Sequence, residues 1–383
     1  MRCLLFACLL LGSAQGWALD RFQVEGYTLP NGLQLLLKPG SERGHVAIRL
    51  VVGVGLDDNA VAAAKQMVER EGGGHYSHLQ RWLDRQDLGH KAGNQLAVEL
   101  GLKCAERAEV GNLTLAQLEQ VRKDWYAPNN MTLIVVGELD RLLPAYLERT
   151  YGALEPVEPS EHPDLPQIQG TAAPERTLVH GWVGQSAQLH WLFPEPMLDQ
   201  QHDETFDLLK DYLDWALYRQ LRLEHELSYG PWSDREVFGG VGFLSLNADL
   251  ERDDLPQARQ VVEQLKARLL KDGLDPATFA RLKQAAIDRQ AWAVQGNSAL
   301  ADYYWSALGD FDNGRFSDPA KRLKAVSLEQ ANLALRQLLQ QPGYLRIEQP
   351  LLSDEQLLWL IGGLLALVLL GSFGVYLLRR RAR

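Results

Sequence analysis

Cysteine is scarce in this chain, and its scarcity excludes disulfide cross-links from most of it. Three cysteines occur among the 383 residues, and two of them, Cys3 and Cys8, lie in an apolar leader. Because a disulfide requires two thiols, Cys104 alone cannot form an intrachain bridge in the remaining body, whichever compartment the body occupies. Cys104 lies in an apolar helical pattern, which is typical of a buried core thiol.

An excess of positive charge is also lacking. The formal net charge is −10, and hydrophobic residues make up 46% of the chain, as in an ordinary globular protein. An acidic chain does not attract nucleic acid through its overall field. We therefore expect no nucleic acid among the partners.

The N-terminus predicts export. Residues 1–18 combine a positive charge at Arg2 with a short apolar run and small residues at Gly16 and Ala18, a pattern typical of a cleavable signal peptide. A lipoprotein cleavage site at Cys8 is the alternative, but the apolar segment before it is shorter than such a site needs.

The C-terminus predicts a membrane anchor. Residues 357–378 carry no charge, and a helix of this length, at about 1.5 Å rise per residue, can cross a bilayer. Four arginines follow within residues 379–383, and positive flanks stay in the cytoplasm. These features predict a single-pass protein of the bacterial inner membrane whose main body faces the periplasm and whose short basic tail lies inside.

The exported body is long enough for two domains. Four prolines fall within residues 155–166, where neither a helix nor a central strand can continue. We therefore predict an N-terminal domain over residues 19–154, a linker over 155–168 and a C-terminal domain over 169–350.

Strand and helix patterns alternate irregularly along the body. Strands are predicted on either side of the Pro39-Gly40 turn and over residues 131–137, 189–193 and 237–246; helices are predicted over 203–226, 255–270 and 276–294. The absence of a regular βαβ rhythm favours an α+β fold class, with two related domains of which the first is shortened.

Four segments carry a resemblance to a known family. In chain order they are Leu29-Pro-Asn-Gly-Leu33 with the strands after it, Trp125-Tyr-Ala-Pro-Asn-Asn-Met-Thr-Leu-Ile-Val-Val-Gly137, Leu221-Arg-Leu-Glu-His-Glu-Leu-Ser-Tyr-Gly230 and the strand Phe238–Leu246. Together they span nearly the whole exported body, in the order in which the family carries them. The chain thereby resembles the insulinase/pitrilysin family of inverted-zincin metallopeptidases.

The zinc motif of that family is missing. The resemblance implies a helix with H-x-x-E-H, which supplies two histidine ligands to Zn²⁺ and a glutamate as general base. None of the nine histidines belongs to such a motif, and the stretch from Asp58 to Trp125 is shorter than the family uses there. We interpret this as a deletion, so that no catalytic residue is expected in this chain.

One residual group could still bind a metal. Glu71, His75 and His78 would share a face of a helix, but the three consecutive glycines between Glu71 and His75 cost about 1 kcal/mol each within a helix. The alternative is a flexible surface loop at the site of the deletion.

The resemblance also implies a substrate-binding pair. Active members use an Arg and a Tyr, seven residues apart in the C-terminal domain, to hold the substrate backbone and the developing oxyanion, and Arg222 and Tyr229 match that pair. The alternative is an exposed helical Arg and a core Tyr with no joint role. His225 and Glu226 lie between them, on the same predicted helix, and are expected to serve packing or solvation.

These features predict a noncatalytic subunit of a heterodimer. Its partner would be a zinc-bearing insulinase-family chain, its substrate a peptide or unfolded protein, and this chain would hold no cofactor of its own. One alternative is a structural or peptide-binding scaffold of a membrane complex with no role in proteolysis. Another is a self-sufficient zinc metallopeptidase.

Overall fold

The computed structural model describes residues 20–52, 123, 126–157, 175–179, 181–196, 203–238, 241–341 and 343–381. The predicted signal peptide, Glu71, His75, His78, Cys104 and residues 158–168 of the predicted linker lie outside the described residues.

The described residues form a mixed α/β fold. Its strands are β1 (Glu25–Thr28), β2 (Gln34–Pro39), β3 (Val46–Val52), β4 (Met131–Gly137), β5 (Glu175–Val179), β6 (Ser186–Pro194), β7 (Trp232–Phe238), β8 (Val241–Glu251) and β9 (Tyr344–Gln349). Its α-helices are α1 (Leu143–Tyr151), α2 (Asp203–Leu217), α3 (Leu255–Asp272), α4 (Pro276–Ala293), α5 (Asn297–Ser306), α6 (Pro319–Ala325), α7 (Leu328–Gln340) and α8 (Asp354–Arg381). A π-helical segment, Tyr218–Glu224, continues α2.

The chain divides into two compact units. The first contains the described residues within 1–53, 122–160 and 290–318, and the second those within 161–289 and 319–383. The first unit is built on a four-stranded sheet in the order β1-β2-β4-β3, and the second on a five-stranded sheet in the order β5-β9-β6-β8-β7.

The centre of the first sheet is buried on both faces. β2 and β4 run parallel, with Leu36 opposite Ile134, and their continuous apolar runs are typical of strands covered on two sides. One face packs against Leu147 of α1, and the other packs against Leu300 and Tyr304 of α5. The predicted strand over residues 131–137 is confirmed as β4.

Residues 290–318 belong to the first unit, whereas the sequence placed them inside a C-terminal domain over 169–350. The buried Asn297 explains the difference. Its amide nitrogen donates to the carbonyls of Glu42 and His45 at 3.1 and 2.7 Å, and its Oδ1 accepts from the Ser41 N–H at 3.1 Å. The start of α5 is thereby fixed to the loop between β2 and β3.

The second sheet packs one face against helices. Leu189 and Phe193 of β6, with Leu244 and Leu246 of β8, form a core with α2, α3 and α7. β5 runs parallel to β9, and the other strand pairs are antiparallel. The predicted helices over 255–270 and 276–294 are found as α3 and α4 with small shifts at their ends.

One strand prediction was wrong. The strand predicted over 237–246 is divided between two antiparallel strands: β7 ends at Phe238, and β8 begins at Val241. The strands predicted on either side of Pro39-Gly40 are found as β2 and β3, which are not adjacent in the sheet. β4 lies between β2 and β3, because its apolar side chains fill the sheet on both faces.

The predicted membrane segment lies within α8. In this helix the stretch Asp354–Gly374 is long and apolar enough to cross a membrane by length and composition, and none of it is buried. Its apolar side chains, such as Leu358, Leu364 and Leu369, are exposed all round.

We predict that Asn297→Ala destabilises the first unit. The substitution leaves a backbone N–H and two carbonyls without their partner, and we expect a loss of about 2–3 kcal/mol in the free energy of unfolding. Urea unfolding followed by circular dichroism measures the change. Ser306→Ala, which removes only an exposed hydrogen bond within α5, is the control and should change stability by less than about 0.5 kcal/mol. An equal effect of both substitutions would contradict this role of Asn297.

Candidate functional site

Arg222 lies on a widened helical turn. The apolar spacing of Leu217 and Leu221 buries both side chains in the core of the second unit and fixes the end of the helix there. The chain changes from α-helix to π-helix at Tyr218, and π-helical turns are rare and often found at functional sites. Arg222 is half-buried near the end of this turn.

The chain reverses directly after the π-helix. The carbonyl of Leu221 accepts from the N–H groups of Leu227 and Ser228, at 2.8 and 3.3 Å. Glu226 adopts a left-handed conformation, with φ 55°, which closes the reversal. The prediction of one helix through Glu226 is therefore wrong: the helix ends at Glu224, and His225 and Glu226 form the turn.

This reversal brings Tyr229 onto Arg222. The guanidinium carbon of Arg222 lies 4.3 Å from the centroid of the Tyr229 ring, within the range of a cation–π contact. Tyr229 is 82% exposed, so it is not the core residue of the alternative interpretation. The two residues form a stacked pair at the surface of the second unit.

A neighbouring carboxylate does not neutralise Arg222. Glu224 accepts from Arg219 Nε at 2.7 Å and also from the side-chain amide of Gln220. The hydrogen bond from Arg219 holds the pKa of Glu224 below its usual value. Arg222 has no hydrogen bond or ion pair to any residue that the structure describes, so its five N–H donors can bind a ligand.

A cavity of about 360 Å³ lies beside the widened turn. Its lining contains two aromatic residues, two guanidinium groups and two carboxylates, contributed by Tyr212, Trp215, Arg219, Arg268, Asp272 and Asp275. No sequence motif indicated this cavity, because its lining comes from segments that are far apart in the chain.

A polar row crosses the sheet face opposite the helical core. His190 of β6 is 4% exposed and lies opposite Asn247 of β8 and Arg346 of β9. His190 Nδ1 lies 2.8 Å from Asn247 Oδ1, and Asn247 Nδ2 donates to Ser245 Oγ at 2.7 Å. The alternation of Gln188 and His190 with apolar neighbours is the sequence signal that could have indicated this row.

Burial sets the charge of His190. It lowers the pKa of the imidazole, and the hydrogen bond to Asn247 opposes this shift only in part. The neutral ring is thus the form that the folded protein favours.

The structure does not test the residual metal candidates. Glu71, His75 and His78 lie outside the described residues. Among the residues that are described, no group of three or more His, Cys, Asp or Glu side chains is arranged to hold a metal ion.

Part of the chain matches the model of a known family. Residues 112–286 match the family model described as the Peptidase M16 inactive domain, a stretch that includes Arg222, Tyr229 and the predicted linker. The match covers a little under half of the chain. The resemblance to the insulinase family is thereby confirmed.

Solved structures share the fold of this chain. A protease from Helicobacter pylori has a TM-score of 0.63 and 14% identity, over 86% of this chain and 100% of that one. The first half of the periplasmic protease PqqL from Escherichia coli has a TM-score of 0.59 and 16% identity, over 86% of this chain and 92% of that one. A peptidase M16 inactive domain from Pseudomonas fluorescens has a TM-score of 0.54 and 16% identity, over 85% of this chain and 98% of that one. No curated protein sequence matches the chain.

We predict that His190 makes stability depend on pH. Because its pKa is lower in the folded than in the unfolded chain, the unfolded chain binds a proton first as pH falls below about 6.5. The neutral His190 therefore contributes its full share of stability above that pH. This share is lost as pH falls from there to the pKa of the folded state, and the free energy of unfolding changes with a slope of at most about 1.4 kcal/mol per pH unit.

Urea unfolding of the full chain between pH 7.5 and 5 measures this slope. The slope should decrease in His190→Gln, which cannot titrate, and persist in His225→Gln, which changes an exposed histidine. An unchanged slope in His190→Gln would refute the assignment.

Proposed function

We propose that this M16-like chain is a noncatalytic subunit of a membrane-bound peptidase. A zinc-bearing M16 partner supplies the metal and the general base, and this chain contributes to the surface that binds a peptide or an unfolded protein. α8 anchors the chain in the bacterial inner membrane, with the folded body in the periplasm. The periplasmic location of PqqL, which shares the fold, supports this placement.

The stacked pair of Arg222 and Tyr229 is the observation that carries the proposal. The pair presents a guanidinium and a phenol side by side on an exposed surface, although this chain has no H-x-x-E-H motif. A fixed cation and a phenolic O–H suit the carbonyl oxygens of an extended peptide and the negative charge that develops when one of them is attacked. A subunit that supports a zinc-bearing partner needs these donors but does not need a metal motif of its own.

The engagement of Glu224 supports the same function. In sequence this carboxylate lies two residues from Arg222, yet it does not pair with that residue. Arg219 binds it instead, at 2.7 Å. Tyr229 meanwhile restricts the Arg222 side chain, so that less conformational entropy is lost when a ligand binds.

We predict that a zinc-bearing chain co-purifies with this protein from membranes. Affinity isolation of the tagged full chain in mild detergent, followed by mass spectrometry, should recover a chain with H-x-x-E-H. Metal analysis should find zinc in the complex and none in this chain when it is isolated alone. Stoichiometric zinc in the isolated chain that is lost on His75→Ala would instead indicate a self-sufficient zinc peptidase.

We predict that Arg222→Ala lowers the kcat/KM of the purified complex about 10²-fold or more, as loss of a transition-state donor does. Tyr229→Phe keeps the ring beneath the guanidinium and removes only the hydroxyl, so it should lower kcat with little change in KM if the phenol acts on the transition state. Peptide cleavage by the isolated complex gives both constants.

Arg336→Ala is the matched control, because Arg336 is an exposed arginine on α7 of the same unit. It should leave both constants unchanged. If Arg222→Ala assembles normally and the complex retains full activity, the chain is a scaffold without a role in proteolysis.

A further inference from the structure

An exposed apolar patch surrounds the point where the chain enters α8. Trp182, in the segment after β5, is 80% exposed, although tryptophan is mostly buried in globular proteins. Val179, at the end of β5, is 57% exposed, and Leu351, just before α8, is 47% exposed. We call these three residues the entry patch.

Backbone hydrogen bonds join the two halves of the entry patch. The N–H of Leu351 donates to the carbonyl of Gly181 at 3.1 Å, and that of Leu352 donates to the carbonyl of Trp182 at 3.0 Å. Arg252 holds the same segment from the other side, because its guanidinium donates to the carbonyls of Pro350 and Leu351 at 3.0 and 2.9 Å. The position of Trp182 is thus tied to the residues that lead into α8.

The connection from the sheet to α8 is short and well fixed. Only residues 350–353 separate β9 from the helix. Ser353 is 1% exposed; its Oγ accepts from the Gln356 N–H at 3.1 Å, and its own N–H donates to the Gln356 side chain at 3.4 Å. This capping box begins the helix directly at the sheet.

The dimensions of a bilayer place the entry patch among the lipid headgroups. From Ser353 to Leu357, where the uncharged segment begins, a helix rises about 6 Å. The headgroup layer on one side of the hydrocarbon is about 5–7 Å thick. A body joined to its anchor by so short a connection cannot stand away from that layer.

We infer that the entry patch rests on the periplasmic surface of the bilayer, with the Trp182 ring in the headgroup region. This inference rests on the proposed membrane span of α8. Tryptophan suits this region because its ring is amphipathic. Asp354 and Glu355 are exposed in the first turn of α8 and would repel anionic lipids. The contact is therefore apolar and does not require anionic lipid.

Lipid-borne quenchers test this contact. The full chain, with Cys104→Ser, is placed in phosphatidylcholine nanodiscs, and an environment-sensitive fluorophore is attached at Trp182→Cys or, as a second probe, at Leu351→Cys. Nitroxide lipids labelled near the headgroup should quench both probes about twofold or more relative to Leu333→Cys, an equally exposed apolar position on α7. Quenching no stronger than at position 333, or quenching that appears only with anionic lipid, would overturn the inference.

A third probe separates this inference from the proposed span. Trp359→Cys reports on α8 itself, within the uncharged segment. Quenching at position 359 without quenching at 182 or 351 leaves the span intact and refutes the entry patch. Absence of quenching at all three positions refutes the membrane span as well, whereas the activity test of Arg222 remains independent of both.

Discussion

The carbonyl of Leu221 is the point on which the candidate site depends. Its residue is fully buried in the core of the second unit, and its oxygen accepts the two N–H groups that reverse the chain. Leu221 lies within the π-helical segment, and the left-handed Glu226 follows that segment in the reversal. Without it, Tyr229 would continue away from Arg222 along a helix. The surface pair is therefore a consequence of core packing, and the chain then enters β7 through a bridge between Ser228 and Leu250.

The pair of Arg222 and Tyr229 bears on how the missing metal motif is interpreted. An M16-like fold without H-x-x-E-H could have kept only its packing, since a fold outlasts its chemistry when the core remains intact. Here an arginine with no ion pair to a described residue is stacked on an exposed tyrosine, and a neighbouring carboxylate is held by another arginine. Such an arrangement does little for stability, because exposed charges contribute little to folding. The proposed function assigns this arrangement to ligand binding.

Strongly periodic elements could be predicted from the sequence, and elements defined by long-range contacts could not. The continuous apolar run of β4 and the helical spacing of α3 carry their own signal. The assignment of residues 290–318 to the first unit depends on Asn297, whose partners lie about 250 residues earlier in the chain. Likewise, the sequence indicated the spacing of Arg222 and Tyr229 but not their stacking, because local propensity favoured a continuous helix there.

The sequence by itself determined the scarcity of cysteine, the absence of H-x-x-E-H, the apolar C-terminal segment and the residue types at positions 222 and 229. These are local properties, fixed by composition and spacing alone. Only the tertiary structure decided that β4 separates β2 from β3, that His190 is buried in a polar row, and that Arg219 rather than Arg222 binds Glu224. Each of these outcomes depends on which surfaces are buried together, and burial is a property of the whole fold.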